Sequence, residues 1–274
     1  MKRLRGARRG AAVVAIALLA VTGCAKKDTG STTDSGVKLV HAGKLTTCTH
    51  LPYSPFQAKD AAGKVVGFDV DLIDLAAKKL GVPQDIVDTP FEGIRSGTDL
   101  NSGKCDVAAA GMTITDARKQ VLDFSEPYFD ATQALAVPAG KPYKSLADFA
   151  GKRLGVQAAT TGEEYVKAQV KQQNLKIEVV AYKDLGSAQQ ALATGQIEGA
   201  VGDLPVWNEY VKANPGKVVV AGGFDTGEQY GFAVKKGGNP ELLKALNEAL
   251  AAARSDGTYD TLYEKWIGAK PAAK

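Results

Sequence analysis

The chain has 274 residues, 45% of them apolar, and a formal net charge of +4, which suffices for two ordinary domains or one large one with a sizeable core. Five cations, Lys2, Arg3, Arg5, Arg8 and Arg9, lie in the first 23 residues, which contain no acid, so the remainder carries −1. The basic balance therefore belongs to the leader and gives no support to nucleic-acid binding, which would need a basic face in the remainder.

The leader continues as "AAVVAIALLAVTGC", whose apolar run of about a dozen residues is too short for a standard transmembrane helix and suits export. No later segment is long enough to span a membrane. Residues 1–23 therefore read as a signal peptide, and "LAVTGC" resembles a bacterial lipobox ending in Cys24. The resemblance implies a lipid thioether on Cys24 and a second acyl chain, the two-chain anchor that stable attachment needs. It would hold the protein on the extracytoplasmic face of the cell membrane. Residues 24–43 are rich in Ser, Thr, Gly and Lys and poor in aromatics, the composition of a flexible tether. Cys48 and Cys105 then remain as an even pair in an exported chain. Bridged, they would close a loop worth about 4 kcal/mol on a chain-entropy estimate; unbridged, they are two buried thiols.

From Lys44 onward short apolar runs alternate with helical spacing, which predicts mainly parallel sheet covered by helices. "KLTTCTH" reads as a first strand. A helix is expected from Asp69, with Val70, Ile73, Ala76, Ala77 and Leu80 on one face and a stop at Gly81. "QDIVDTP" and "CDVAAAGMT" read as the second and third strands. A capping pattern, Ser145 with Asp148, starts "SLADFAGK". There follow strand "RLGVQA", helix "TTGEEYVKAQVKQQN", strand "KIEVVAY", helix "DLGSAQQALATG", and strand "QIEGAVGDLP", which delivers Asp203 at its C-terminal end. Two helices close the chain. Two strand-helix-strand sets, residues 44–113 and 152–203, predict two lobes of like architecture with a cleft between them. "TQALAVPAG" and "QYGFAVKKG" would be the paired crossovers, and the last helices would return to the first lobe.

Within "AGMTITDAR" the guanidinium of Arg118 is either a receptor for a carboxylate or phosphate or a solvated helix charge. There is no glycine-rich phosphate loop, no His-Glu-x-x-His run and no Cys-x-x-Cys, so nothing calls for a nucleotide, metal or other cofactor.

Five stretches, "LPYSPFQAKDAAGKVVGFDVDLIDLAAKKLG", "AGMTITDARKQVLDFSEPYFDATQALAV", "SLADFAGKRLGVQAATTGEEY", "ALATGQIEGAVGDLP" and "DGTYDTLYEKWIG", occur in this order. From Lys44 to Gly268 the chain resembles the solute-binding proteins of bacterial ABC importers that bind polar amino acids. The resemblance implies a two-lobed periplasmic-binding-protein-like α/β fold (type II), with two parallel-sheet lobes joined by two crossover strands. Lobe 1 would comprise 44–133 plus 230–268, lobe 2 would comprise 134–229, and 269–274 would be a flexible tail. It also implies a monomer that takes up a free amino acid and hands it to a permease and its ATPase. Carried over residue by residue, Arg118 would take the ligand carboxylate, with Thr113 beside it and Thr161 donating from the opposite lobe. Asp203 would hold the ammonium, Tyr53 and Phe91 would sandwich the ligand, and Gly111 would offer backbone. Each has a plainer reading: Asp203 and Thr161 as helix caps, Tyr53 and Phe91 as core.

The chain departs from the family at His50, where many relatives carry an aspartate that receives a cationic side chain. With Gln157 and Gly202 also expected to face the ligand side chain, the pocket reads as neutral and polar. "FEGIRSGTDLNSGKCD" is about two residues longer than usual. If His50 and Gly111 both end at the cleft, strand rise puts Cys48 and Cys105 about 13 Å out of step, beyond the reach of about 7 Å that a bridge tolerates. Neighbouring first and third strands and the longer loop would instead bring Cys105 alongside, so a Cys48–Cys105 disulfide stays open. The same fold also hosts a dehydratase acting on cyclic carboxylates, for which His50 would be the one candidate acid or base. A sensor ectodomain would need a separate signalling partner.

Overall fold

The computed structural model describes residues 30–268. The expected signal peptide, Cys24, the start of the tether and residues 269–274 lie outside the described residues. Within them the tether expectation needs correction. β1 (Ser31–Thr32) and β2 (Lys38–Leu39) pair antiparallel, and Val37 and Leu39 are buried. The polar composition hid these two apolar anchors. The Val40 N–H also donates to Asp106, and Asn239 donates to the Lys38 carbonyl.

The first sheet has the order β6-β3-β7-β14-β8. β3 (Leu45–Thr49) lies parallel to both β6 (Gln84–Asp88) and β7 (Val107–Ala108), and β14 (Ala233–Lys235) runs antiparallel between β7 and β8 (Leu122–Phe124). A small hairpin, β4 (Ala58–Lys59) and β5 (Val65–Val66), leads into α1 (Phe68–Lys79). Its turn into the helix requires Gly67, at φ 147°, because a Cβ there would run into the Phe56 carbonyl. The predicted apolar face of α1 is the buried one. α8 (Pro240–Ser255) and α9 (Thr258–Ile267) pack against α1, so the chain end does return to this lobe.

The expected third strand, residues 105–113, shortens to two residues, and the preceding stretch folds as α2 (Phe91–Arg95), α3 (Thr98–Asn101) and a turn. This overturns the register objection to a bridge: strand rise does not apply to turned chain, and Cys48 and Cys105 are disulfide-bonded with Cα atoms 5.6 Å apart.

The second sheet has the order β11-β10-β12-β9-β13. β10 (Arg153–Gln157) is parallel to β11 (Glu178–Tyr182) and β12 (Gly199–Asp203), while β9 (Phe129–Pro138) is antiparallel to β12 and to β13 (Val218–Tyr230). The helices α5 (Thr161–Gln172), α6 (Leu185–Ala193) and α7 (Leu204–Ala213) flank it. Ser145 and Asp148 form the expected cap, on a 3₁₀ turn, Leu146–Phe149. α4 (Asp116–Lys119) is a single short turn in the first lobe. β9 and β13 pair from Phe129↔Tyr230 outward. The second sheet therefore begins at Phe129, earlier than the expected 134, and the links between lobes are the short stretches 125–128 and 231–232. Beside these links Phe56 meets Phe68, Phe129 and Tyr230 edge to face, Phe68 meets Phe129 the same way and Phe129 stacks on Tyr230, making the hinge side an aromatic core shared by both lobes.

Candidate functional site

The C-terminal ends of β3, β7, β10 and β12 converge on one cleft between the sheets. It is lined by all nine of the sequence-predicted ligand residues: His50, Tyr53, Phe91, Gly111, Thr113, Arg118, Gln157, Thr161 and Asp203. Gly202 is not among them. A Cβ there would press on Leu185 and Trp207, so this position faces the interior of the second lobe.

Arg118 lies in α4, whose N-cap Thr115 accepts from the Arg118 N–H and fixes the turn. Its side chain is buried, with 7% of the residue exposed. Nη1 donates to the Thr113 carbonyl at 2.8 Å and Nη2 to the Ala159 carbonyl of the opposite lobe at 3.4 Å. The guanidinium carbon stands 5.4 Å from the Phe91 ring centroid. Burial pulls its pKa below the ordinary arginine value, against Glu164 and, more weakly, Glu228 and Asp203. Among the described residues no carboxylate reaches it at ion-pair distance. It is a desolvated cation held in place by carbonyls.

Asp203 is its mirror image. It ends β12 at 6% exposure and precedes α7 without capping it through its side chain. Tyr53 donates to Oδ2 across the cleft at 2.5 Å, Tyr230 donates to the same oxygen, and Gln133 donates to Oδ1 at 2.5 Å. Burial pushes its pKa up to about 6 despite these donors, with Glu228 adding to the rise. Burial and the neighbouring carboxylate likewise raise Tyr53 and Tyr230, which keeps both phenols protonated as donors.

Thr161 opens α5, but the cap is Thr160, whose Oγ1 accepts from Glu163 N–H. Thr161 Oγ1 is thereby left to face Thr113 Oγ1 across the cleft at 3.4 Å. Gly111, at φ 54°, has room for no side chain, since a Cβ would stand 2.9 Å from a Tyr53 ring carbon.

Four residues that sequence reasoning missed complete the setting. Glu228 accepts from Thr113, Thr161 and Gln133 at 2.9, 2.8 and 3.2 Å. Gln133 links it to Asp203. Gln57 lines the cleft beside His50. Asp69, fully buried behind it, accepts from the Gly111 N–H at 2.8 Å and from Tyr128 at 2.7 Å, and burial raises its pKa to about 7. The alternation at the start of β9 could have flagged Gln133. Asp69 reads in sequence only as a helix-start acid.

The cleft as it stands encloses about 20 Å³ of free space, about enough for one water. Any larger ligand must enter with the lobes parted. Chemically the arrangement offers an anion receptor and a cation receptor on facing walls, with aromatic rings between them.

Residues 45–269 match the family described as bacterial extracellular solute-binding proteins, family 3. The chain is 34% identical to the L-cystine-binding protein TcyJ of Escherichia coli (strain K12), covering 94% of each chain. It is 31% identical to the ABC transporter glutamine-binding protein GlnH of Bacillus subtilis (strain 168), covering 90% of this chain and 87% of that one. An ancestral arginine-binding protein solved with arginine superposes at a TM-score of 0.77 with 45% identity, over 82% of this chain and 98% of that chain. These relatives are binding proteins and not enzymes, and so is this chain. It belongs to the bacterial extracellular solute-binding proteins of family 3, the amino-acid-binding proteins of ABC transporters.

Proposed function

We propose that the protein is a lipid-anchored receptor that captures a polar amino acid between its lobes and delivers it to the permease and ATPase of an ABC importer. One observation carries the reading: a buried guanidinium and a buried carboxylate, Arg118 and Asp203, face one cleft without forming ion pairs within the described chain. A free amino acid supplies the missing partner of each, a carboxylate for Arg118 and an ammonium for Asp203. Relatives named for cystine, glutamine and arginine support an α-amino acid as cargo. The protein works as a monomer, held to the outer face of the membrane through Cys24, and closure is hinge motion at the two links between lobes.

A thermal-shift screen against the standard amino acids tests the reading, because a ligand bound only by the folded form raises the melting point. At least one polar amino acid is expected to do so, and a flat response across all of them would sink the proposal. Membrane fractionation tests the anchor: the wild-type chain should sediment with membranes and Cys24→Ser should not.

A further inference from the structure

The same cleft holds three acceptor atoms that find no donor among the described residues. Gln57, 1% exposed, spends its Nε2 on the His50 carbonyl at 3.4 Å, which orients the amide and leaves Oε1 unpartnered. Gln157, 5% exposed at the end of β10, also has an unpartnered Oε1. His50 places Nδ1 3.0 Å from the Thr89 carbonyl oxygen. A carbonyl only accepts, so the neutral ring carries its proton on Nδ1, and the unpartnered Nε2 presents a lone pair. All three residues line the cavity that Arg118 and Asp203 face. Buried acceptors without donors are costly, and a ligand that brings donors to them recovers that cost.

Resting on the reading of this cleft as an amino-acid site, we propose that the cargo side chain ends in a planar group rich in N–H donors, a carboxamide or a guanidinium. It is received by His50 Nε2, Gln57 Oε1 and Gln157 Oε1. Charge points the same way. Among the cleft-lining residues the ionisable acid Asp203 faces the cation Arg118, and Glu228 stands just behind the wall on Thr113, Thr161 and Gln133, so the added acid gives the site an excess of negative charge that a zwitterionic backbone does not change. An acidic side chain would deepen that excess and set acceptor against acceptor. A guanidinium would cancel it.

Titration calorimetry on the full chain with arginine, glutamine, glutamate and norvaline tests this. Glutamine and glutamate share size and backbone groups, so their ratio isolates the head group. Glutamine should bind at least about 100-fold more tightly than glutamate or norvaline, with arginine equal to glutamine or tighter. Gln157→Leu, its fold checked by melting, should weaken glutamine about tenfold relative to norvaline. Glutamate or norvaline binding within about threefold of glutamine, while Arg118→Ala still abolishes binding, would overturn the donor-head assignment and leave the amino-acid reading intact. Failure of every α-amino acid to bind would overturn both.

Discussion

Removing Arg118 takes away the anion fork and strands the ligand carboxylate in a dry site, so Arg118→Ala should weaken binding by about 2–5 kcal/mol. Arg118→Lys should recover only part of that, because one ammonium cannot reproduce a two-pronged contact; calorimetry at constant pH reads both. Asp203 adds a pH dependence. Its pKa of about 6 in the free protein means that at lower pH the carboxyl is protonated and attracts a ligand ammonium poorly. Affinity should therefore be flat above about pH 6 and fall roughly tenfold per unit below it. Asp203→Asn should be weak throughout and lack that slope. The residues that touch these two were legible to different degrees. Arg118, Thr113 and Asp203 sit in local motifs whose residue types state their chemistry. Glu228 does not, because register shifts in β13 between Val220 and Gly222 and between Phe224 and Glu228 break the alternation that would have shown which face it takes.

At the scale of elements, the strand-helix-strand sets were legible because their apolar periodicity is local. What escaped was non-local or masked by punctuation. α7 begins with Pro205 in its first turn, where the missing N–H costs nothing, yet in sequence "GDLP" looks like a strand running into a loop. β13 carries Gly222, Gly223 and Gly227, which dilute its strand signal, and it is held by pairing to β9 about 90 residues away in sequence. The Cys48–Cys105 bridge stayed open in sequence for the same reason, since turns preceding β7 set the approach. The bridge closes a separation of 57 residues, from β3 across β4, β5, α1, β6, α2 and α3. Cys48→Ser combined with Cys105→Ser should lower the unfolding free energy by up to about 4 kcal/mol, read by denaturant titration. The ligand pattern should survive, because both cysteines pack in the core cluster with Phe91 and Ile94 and not in the cleft wall.

For the molecule as a whole, two buried carboxyls make stability depend on pH in the direction opposite to a salt-bridged acid. Asp69, at about 7, and Asp203, at about 6, both lie above the unfolded value of 3.8. The native state thus holds protons that the unfolded chain has released, and stability rises as pH falls from about 7 toward 4. The shift at Asp69 is worth at most about 4 kcal/mol, and Asp69→Asn should flatten the slope in urea titrations across that range. The same burial governs closure. In the closed arrangement Tyr53 meets Asp203 and Arg118 meets the Ala159 carbonyl across the cleft, but the guanidinium has no counter-charge at ion-pair distance among the described residues. Closing without ligand therefore dehydrates a cation for one new carbonyl contact, at Ala159, a cost of several kcal/mol. A ligand carboxylate removes that cost and turns closure favourable, so binding and hinge motion are one equilibrium. In solution scattering the free protein should be measurably more expanded than the arrangement described here, and saturating ligand should contract it. Replacing the charge, as in Arg118→Gln, lowers the cost of unliganded closure and should contract the free protein while destroying its affinity. A free wild type already as compact as the liganded form would show that closure does not wait for the ligand's charge.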